Sequence, residues 1–191
     1  MSAATVRSQP IVDAVLPGSG VLRDAVLIVS GTALTVLGAQ ISIPWNPVPF
    51  TLQTLAVMLC GLALGTKRGA MSQLLYVGIG AAGVPVFAQS KFGAGILTGS
   101  TGGYLISFAL VAALLGWLAE RGWTQNVWKT AVAMAIGSTL NLGLGALWLS
   151  AFIGGQAAFI HGAVVFIVPE VMKAVIVVGA LPTAWKIVKG R

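Results

Sequence analysis

The chain of 191 residues is strongly apolar, with 57% hydrophobic residues against roughly 45–50% in average soluble proteins. Lysine, arginine, aspartate and glutamate make up only 8% of it, against about 25% in average usage. So few charges exclude a soluble globular enzyme, and the formal net charge of +7 does not indicate a nucleic-acid partner, because the basic residues lie between apolar runs. The composition predicts an all-α, polytopic membrane protein surrounded by lipid.

The first 24 residues are mixed and polar, and we expect them to form a cytoplasmic N-terminal tail. Six apolar runs follow, most of them close to the length of about 20 residues with which a helix crosses a bilayer. Pro169 divides the last run, which is too long for one crossing, since proline is tolerated at the first position of a helix. We therefore expect a single domain over residues 25–191 with six transmembrane helices. The runs cover residues 25–43, 50–65, 69–88, 101–120, 129–152 and 157–188.

Positive charges between the runs predict the orientation of the chain. In a six-helix arrangement nine of them fall on one side and Lys91 alone on the other, while Lys173 lies within the last run. Because lysine and arginine favour cytoplasmic connections, both termini are expected in the cytoplasm. The outward connections are rich in glycine and proline, and irregular backbone at membrane depth persists where it lines a wet cavity or is buried in protein. We therefore expect a pocket in the outer half. The nine are Arg7, Arg23, Lys67, Arg68, Arg121, Lys129, Lys186, Lys189 and Arg191.

Glu170 is the acidic residue that lies within an apolar run. An ionisable group there costs roughly 2.5–3.5 kcal/mol or more, and Lys173 follows at the spacing that places both side chains on one helix face. The two form either a structural ion pair or part of a site for a polar ligand. Gln53 and Tyr104 lie near outward connections and offer a carboxamide and a phenol to such a ligand. Their alternative roles are an interhelical hydrogen bond for Gln53 and a place in the interfacial aromatic belt for Tyr104.

Several enzyme chemistries have no support in the sequence. The chain has no Gly-x-x-x-x-Gly-Lys-Ser/Thr loop for phosphate. His161 is the single histidine and Cys60 the single cysteine, which excludes a histidine-based metal site or a disulfide within one chain. We expect no enzyme activity, no metal and no cofactor. An intramembrane enzyme using Glu170 or His161 is the alternative.

Five segments occur in the order and spacing of a known family. They read Val-Pro-Phe-Thr-Leu-Gln-Thr at 48–54, Gly-Val-Pro-Val-Phe at 83–87, Thr-Gly-Gly-Tyr-Leu at 101–105, Gly-Ala-Leu-Trp-Leu-Ser at 145–150, and Phe-Ile-Val-Pro-Glu-Val-Met-Lys-Ala at 166–174. Over residues 25–188 the chain resembles the BioY family, the biotin-binding S components of energy-coupling factor (ECF) vitamin importers. The family usually has Pro-Gly-Asp-x-x-Lys in the last segment, where this chain has Pro169, Glu170 and Lys173.

The resemblance implies a function and partners. It implies a six-helix protein of the bacterial inner (plasma) membrane that holds biotin near the outer face. A separate transmembrane coupling subunit and ABC-type ATPases would drive uptake. Another small vitamin as the substrate is a further alternative.

The resemblance also implies roles for the candidate residues. Biotin has a ureido ring with two N–H donors and one carbonyl, an apolar ring and chain, and a carboxylate. Glu170 and Gln53 would read the ureido group, and Tyr104 would supply an aromatic wall. Lys173 would donate to the ureido carbonyl and Lys91, where the family often has arginine, would attract the carboxylate. The two lysines could exchange these roles.

A stripe of small residues lies on the first predicted helix. Gly31, Thr35 and Ala39 recur at every fourth position, a spacing that forms a groove where another helix can approach closely. The resemblance implies that the coupling subunit docks on this stripe. Internal packing against the chain's own helices is the alternative.

Overall fold

The computed structural model describes residues 9–190, so residues 1–8 and 191, with Arg7 and Arg191 of the charge pattern, lie outside the described part. The described chain consists mainly of α-helices, with one short antiparallel β-hairpin that pairs Ser42 with Thr51 and Ile43 with Phe50. The helices are α1 (Ile11–Val15), α2 (Val21–Gln40), α3 (Gln53–Leu64), α4 (Thr66–Ala81), α5 (Gly95–Thr98), α6 (Gly102–Glu120), α7 (Val127–Ile153), α8 (Gly155–Gly162) and α9 (Ile167–Lys189), and the strands are β1 (Ser42–Ile43) and β2 (Phe50–Thr51).

The long helices identify a multi-pass membrane protein. Within residues 9–190, four helical stretches are long and apolar enough to cross a membrane, namely α2, α6, α7 and residues 155–189. The helices α3 and α4 have 12 and 16 residues. At 1.5 Å per residue they span about 18 and 24 Å, less than the hydrocarbon core of about 30 Å. The six helices α2, α3, α4, α6, α7 and α9 correspond to the six apolar runs.

Two helix starts differ from the sequence prediction. Helix α2 begins at Val21, and α1 precedes it, so residues 9–24 of the predicted tail are largely helical. Helix α9 begins at Ile167, which places Pro169 within the first turn instead of at the first position. The missing N–H of Pro169 costs nothing there either, because the first four amide groups of a helix have no intrahelical partner.

Helix α6 is the centre of the bundle and packs against α3, α4 and α7. Its side chains Val111, Ala112 and Leu115 are fully buried. The contact with α3 is close, since a Cβ atom on Gly61 would lie 2.6 Å from the carbonyl oxygen of Ala112. Lipid gives helices no hydrophobic reason to associate, so such contacts between small residues hold the bundle together.

The stripe on α2 faces the interior of the protein. A Cβ atom on Gly31 would lie 3.0 Å from Cβ of Ser72 in α4, and Gln73 Nε2 donates to Thr35 Oγ1 at 3.1 Å. Ala39 is completely buried. The structure therefore corrects the docking prediction for these side chains, because they offer no exposed surface to a partner. It favours the alternative of internal packing.

Ion pairs hold α1 against the starts of α2 and α4. Asp13 accepts hydrogen bonds from Arg23 at 2.8 Å and from Arg68 Nη1 at 2.9 Å. Burial alone would raise the pKa of Asp13, but the hydrogen bonds from the two arginines outweigh it and hold the pKa below its ordinary 3.8. Glu120, at the end of α6, accepts from the backbone N–H of Thr66 at 2.8 Å and so caps the start of α4. We call this end of the bundle the terminal end.

Candidate ligand site

A cavity lies among α3, α6, α7 and α9 at the opposite end of the bundle, which carries the β-hairpin and residues 82–101. We call this the loop end. All five residues that the sequence singled out for ligand binding line the cavity, namely Gln53, Lys91, Tyr104, Glu170 and Lys173. The structure therefore brings together side chains from α3, the 82–101 segment, α6 and α9.

Glu170 and Lys173 form an ion pair in the wall of the cavity. Glu170 Oε1 lies 2.7 Å from Lys173 Nζ, and the two residues are only 4% and 6% exposed. Thr54 Oγ1 donates to Glu170 Oε1 at 2.7 Å and accepts from Lys173 Nζ at 2.6 Å. Ser138 Oγ donates to Glu170 Oε2 at 3.0 Å. Polar groups of three helices thus compensate both buried charges, as burial of charge requires.

The position of Glu170 in α9 supplies further partners for its side chain. Glu170 lies in the first turn of the helix, where free backbone N–H groups and the helix dipole stabilise a carboxylate. The spacing of three residues then places Lys173 on the same face. The ion pair expected from the sequence is therefore present, and the same two side chains line the cavity.

Gln53 is held by a hydrogen-bond chain that the sequence did not reveal. Its Nε2 donates to the hydroxyl of Tyr76 at 2.7 Å, and this hydroxyl donates to the carbonyl of Val86 at 3.1 Å. The interhelical hydrogen bond expected as an alternative role is therefore present. One N–H of the amide is thus committed to α4, and the carbonyl oxygen together with the second N–H is left for a ligand.

Tyr104 is buried inside the bundle and does not belong to an interfacial belt. Its hydroxyl donates to the carbonyl of Gly162 at 2.7 Å. The ring fits between two glycines, since a Cβ atom on Gly145 would lie 2.1 Å from the ring and one on Gly162 would lie 2.5 Å from the hydroxyl. The hydroxyl is thus committed to the protein, and the ring remains as a wall of the cavity.

Lys91 lies at the rim of the cavity. It is exposed and also lines a wider depression on the surface of the loop end, beside Gln89 and Pro49. None of the ion pairs formed within residues 9–190 involves Lys91. An anionic group of a ligand can therefore reach its ammonium group without displacing a protein carboxylate.

Aromatic side chains complete the apolar part of the wall. Phe87, Phe108 and Phe166 line the cavity. The ring of Phe166 packs against Phe50 of the hairpin with 4.6 Å between centroids, and Phe87 packs edge-on against Tyr76 at 5.5 Å. An apolar ligand body would find fixed ring surfaces here.

Sequence reasoning missed several polar residues of the site. Thr54 bridges the ion pair, Ser138 contacts Glu170, and Asn141 lines the cavity. A signal for two of them was present, because Ser138 and Asn141 are spaced by three residues in an otherwise apolar helix and so share a face. Serine and threonine are common in membrane helices, which makes this signal weak.

The residues of the enzyme alternative do not meet. His161 is exposed on α8 and does not line the cavity that contains Glu170. Across residues 9–190, no group of three histidine, cysteine, aspartate or glutamate side chains is placed to hold a metal ion.

A helical membrane protein with a preformed cavity at one end, lined by aromatic rings and a buried acid–base pair, is a membrane-embedded binding protein for a small polar ligand. The BioY family model matches residues 6–190. This chain belongs to the BioY family, a family of transport proteins and not of enzymes.

Individual relatives agree with this assignment. Over 155 residues the chain is 43% identical to the biotin transporter BioY of Thermotoga maritima, covering 81% of this chain and 80% of that protein. It is 40% identical over 152 residues to a probable biotin transporter BioY of Pyrococcus horikoshii, covering 80% and 90%. The crystal structure of the S-component for biotin from an ECF-type ABC transporter matches with a TM-score of 0.76 and 26% identity, covering 86% of this chain and 92% of that one.

Proposed function

We propose that this chain is the substrate-binding S component of an ECF-type biotin importer. The observation that carries the proposal is the cavity that joins a buried acid–base pair, a carboxamide, aromatic rings and a free lysine at the rim. These groups complement the ureido ring, the apolar ring and chain, and the carboxylate of biotin. The relatives named as biotin transporters support the same substrate.

The depth of the two lysines supports one of the two possible assignments. Lys173 is buried beside Glu170, whereas Lys91 is exposed at the rim. Keeping a carboxylate near water costs less than burying it, so the carboxylate of biotin lies near Lys91. The ureido ring then enters the cavity, where Lys173 donates to its carbonyl. Glu170 and the carbonyl of Gln53 accept from its N–H groups.

The membrane arrangement belongs to the same proposal. The six helices α2, α3, α4, α6, α7 and α9 form the membrane domain, with the loop end outward and both termini in the cytoplasm, as the excess of basic residues at the terminal end supports. The cavity then opens toward the biotin outside the cell. Because the sequence carries no phosphate-binding loop, a separate coupling subunit and ABC-type ATPases supply the energy.

Binding and uptake can be measured separately. Isothermal titration of the purified protein with biotin should show one tight site, and thiamine or riboflavin should not compete. Cells that also produce the coupling subunit and ATPases should accumulate labelled biotin in an ATP-dependent manner. The proposal would be overturned by a purified protein that ignores biotin, or by binding without any contribution to uptake when all partner subunits are present.

A further inference from the structure

We propose that Asn141 binds the ligand directly, and that its Oδ1 accepts a hydrogen bond from a ring N–H group of biotin. The inference rests on the proposed function and refines it, because Asn141 takes the place of either Gln53 or Glu170 as the acceptor for one of the two ring N–H groups. Its basis is a buried hydrogen-bond acceptor in the wall of the cavity that the protein leaves without a partner.

The donor side of the Asn141 amide is fixed by α6. Asn141 Nδ2 donates to Ser107 Oγ at 2.7 Å and to the backbone carbonyl of Tyr104 at 3.3 Å. Ser107 Oγ itself donates to this same carbonyl at 2.8 Å. If the amide were turned over, Oδ1 would face Ser107 Oγ and the carbonyl of Tyr104. Neither could donate to it, because the single hydroxyl proton of Ser107 already goes to that carbonyl. The network therefore fixes which side of the amide carries the oxygen.

The acceptor side of Asn141 has no partner. The residue is only 2% exposed, and among the buried side-chain nitrogen and oxygen atoms of residues 9–190 only Asn141 Oδ1 and Arg23 Nε lack a hydrogen bond. Arg23 lies at the terminal end, where its other nitrogens pair with Asp13 and Asp24. A buried carbonyl without a donor is unfavourable, so a ligand that brings an N–H group to Asn141 relieves a cost already present in the folded protein.

The other acceptors of the cavity are more fully used. Glu170 Oε1 accepts from Thr54 and Lys173, and Oε2 accepts from Ser138. A neutral carboxamide oxygen with no donor is therefore a better match for a neutral ring N–H than a carboxylate that already has three donors. In this pose Asn141 of α7 takes one ring N–H, the other goes to Gln53 or Glu170, and the main task of Glu170 is to hold Lys173.

The test compares Asn141→Leu with Thr139→Leu against two ligands. Leucine is close to asparagine in size and has no acceptor, whereas Thr139 is an exposed residue of the same helix that does not line the cavity. Affinity for biotin should fall at least tenfold in N141L and change less than threefold in T139L. Biotin methylated on the ring nitrogen that faces Asn141 should bind the wild type weakly, and N141L should weaken its binding no further. An N141L variant with wild-type affinity, or with equal losses for biotin and for biotin methylated on either ring nitrogen, would overturn the inference.

A second measurement uses the unaltered protein, so that a folding defect in N141L leaves the inference testable. The chain has three asparagines, at positions 46, 126 and 141. With their side-chain carbonyl carbons labelled, the resonance that persists in Asn46→Ser and Asn126→Ser variants belongs to Asn141. This resonance should move downfield with biotin and stay in place with the methylated ligand. A resonance that does not respond to bound biotin contradicts the inference, whereas a wild-type protein that does not bind biotin at all contradicts the proposed function.

Discussion

Glu170 and Lys173 depend on each other as single residues. Removing one partner of a buried ion pair leaves an uncompensated charge and typically costs about 3–5 kcal/mol. That cost falls on protein stability. Biotin binding should also weaken at least tenfold in isothermal titration of Glu170→Ala or Lys173→Ala, because the ring carbonyl of biotin loses its donor or the group that positions this donor, and a buried polar group without its partner costs on the order of 1–3 kcal/mol. Lys67→Ala is the control, since Lys67 lies at the terminal end in the first turn of α4. Wild-type affinity in E170A would remove Glu170 from the site.

A variant with alanine at both Glu170 and Lys173 separates a structural role of this pair from a role in ligand binding. With both charges removed, no buried ion remains without a partner, so thermal stability should recover relative to either single variant. Affinity for biotin should not recover, because the ligand has lost its donor and the group that positions it. Recovery of both quantities would mean that the pair is structural only.

In the proposed pose, Lys91 acts through its charge at the rim. Lys91→Ala should weaken binding of biotin and leave binding of biotin methyl ester nearly unchanged, because the ester has no negative charge. Exposed charges are screened within about 10 Å at 0.1 M salt, so the difference between variant and wild type should shrink as salt is added. Equal losses for biotin and its ester would show that Lys91 acts by shape or through the loop and not by charge.

At the scale of helices, close packing through small residues decides whether the bundle forms. A Cβ atom on Gly31 would lie 2.9 Å from Leu64 Cδ1 and 3.0 Å from Ser72 Cβ. Gly31→Leu should therefore lower stability by about 1–3 kcal/mol through overpacking, which thermal unfolding in detergent would measure. Gly143→Leu on α7 is the matched control, because no other side chain lies within 4 Å of a Cβ atom there. If G31L unfolded like wild type but lost uptake, the stripe would dock a partner after all.

The orientation of α2 illustrates what sequence spacing can and cannot predict. A repeat of four residues shows that Gly31, Thr35 and Ala39 share a face, but it does not show what covers that face. The cover consists of α4, which contributes Ser72 and Gln73, and of α3, which contributes Cys60 and Leu64. Contacts between residues about 30 to 40 positions apart in the chain decided this point.

The cavity lining was predictable in part. Glu170 and Lys173 could be singled out because charge is rare and costly within a membrane helix. Thr54 and Tyr76 could not, and Ser138 gave only a weak signal, since their contacts are with residues far away in the chain. Hydroxyl groups are inexpensive in a membrane helix, so their presence alone does not mark a site.

Across the whole molecule, α1 links helix ends that the chain brings together from distant positions. Asp13 contacts Arg68, which lies 55 residues further along the chain, and for this reason α1, which lies within the predicted polar tail, packs against the helix bundle. Local composition cannot reveal such a contact. The six apolar runs were predictable, whereas helix α1 was not.

This link should respond to pH. Because the folded pKa of Asp13 lies below its ordinary 3.8, its contribution is present above that value and is lost as the pH falls through the lower, folded value. Asp13→Asn should therefore unfold at a lower temperature than wild type at pH 7. Its free energy of unfolding should fall by an amount on the order of 1 kcal/mol, as expected for a partly exposed network. The difference should narrow below pH 4. Asp24→Asn is the control, since Asp24 is more exposed and forms longer ion pairs of 3.5 and 3.7 Å. A constant difference from pH 7 to acid would argue against the carboxylate as the cause.

The close packing of Tyr104 against Gly145 and Gly162 restricts which substitutions evolution can accept at these three positions. The ring occupies the space of a side chain at Gly145, whereas only the hydroxyl and Leu149 oppose one at Gly162. Alanine can therefore replace Gly162 once Tyr104 has become phenylalanine, because the opposing hydroxyl is then gone. Alanine at position 145 requires that the aromatic ring at position 104 is lost as well. Aligned family members should contain tyrosine at 104 together with glycine at both other positions, and a saturation mutagenesis screen should recover G162A, but not G145A, in a Y104F background. Frequent coexistence of Tyr104 with alanine at 145 would show that α6 and α7 can separate at low cost.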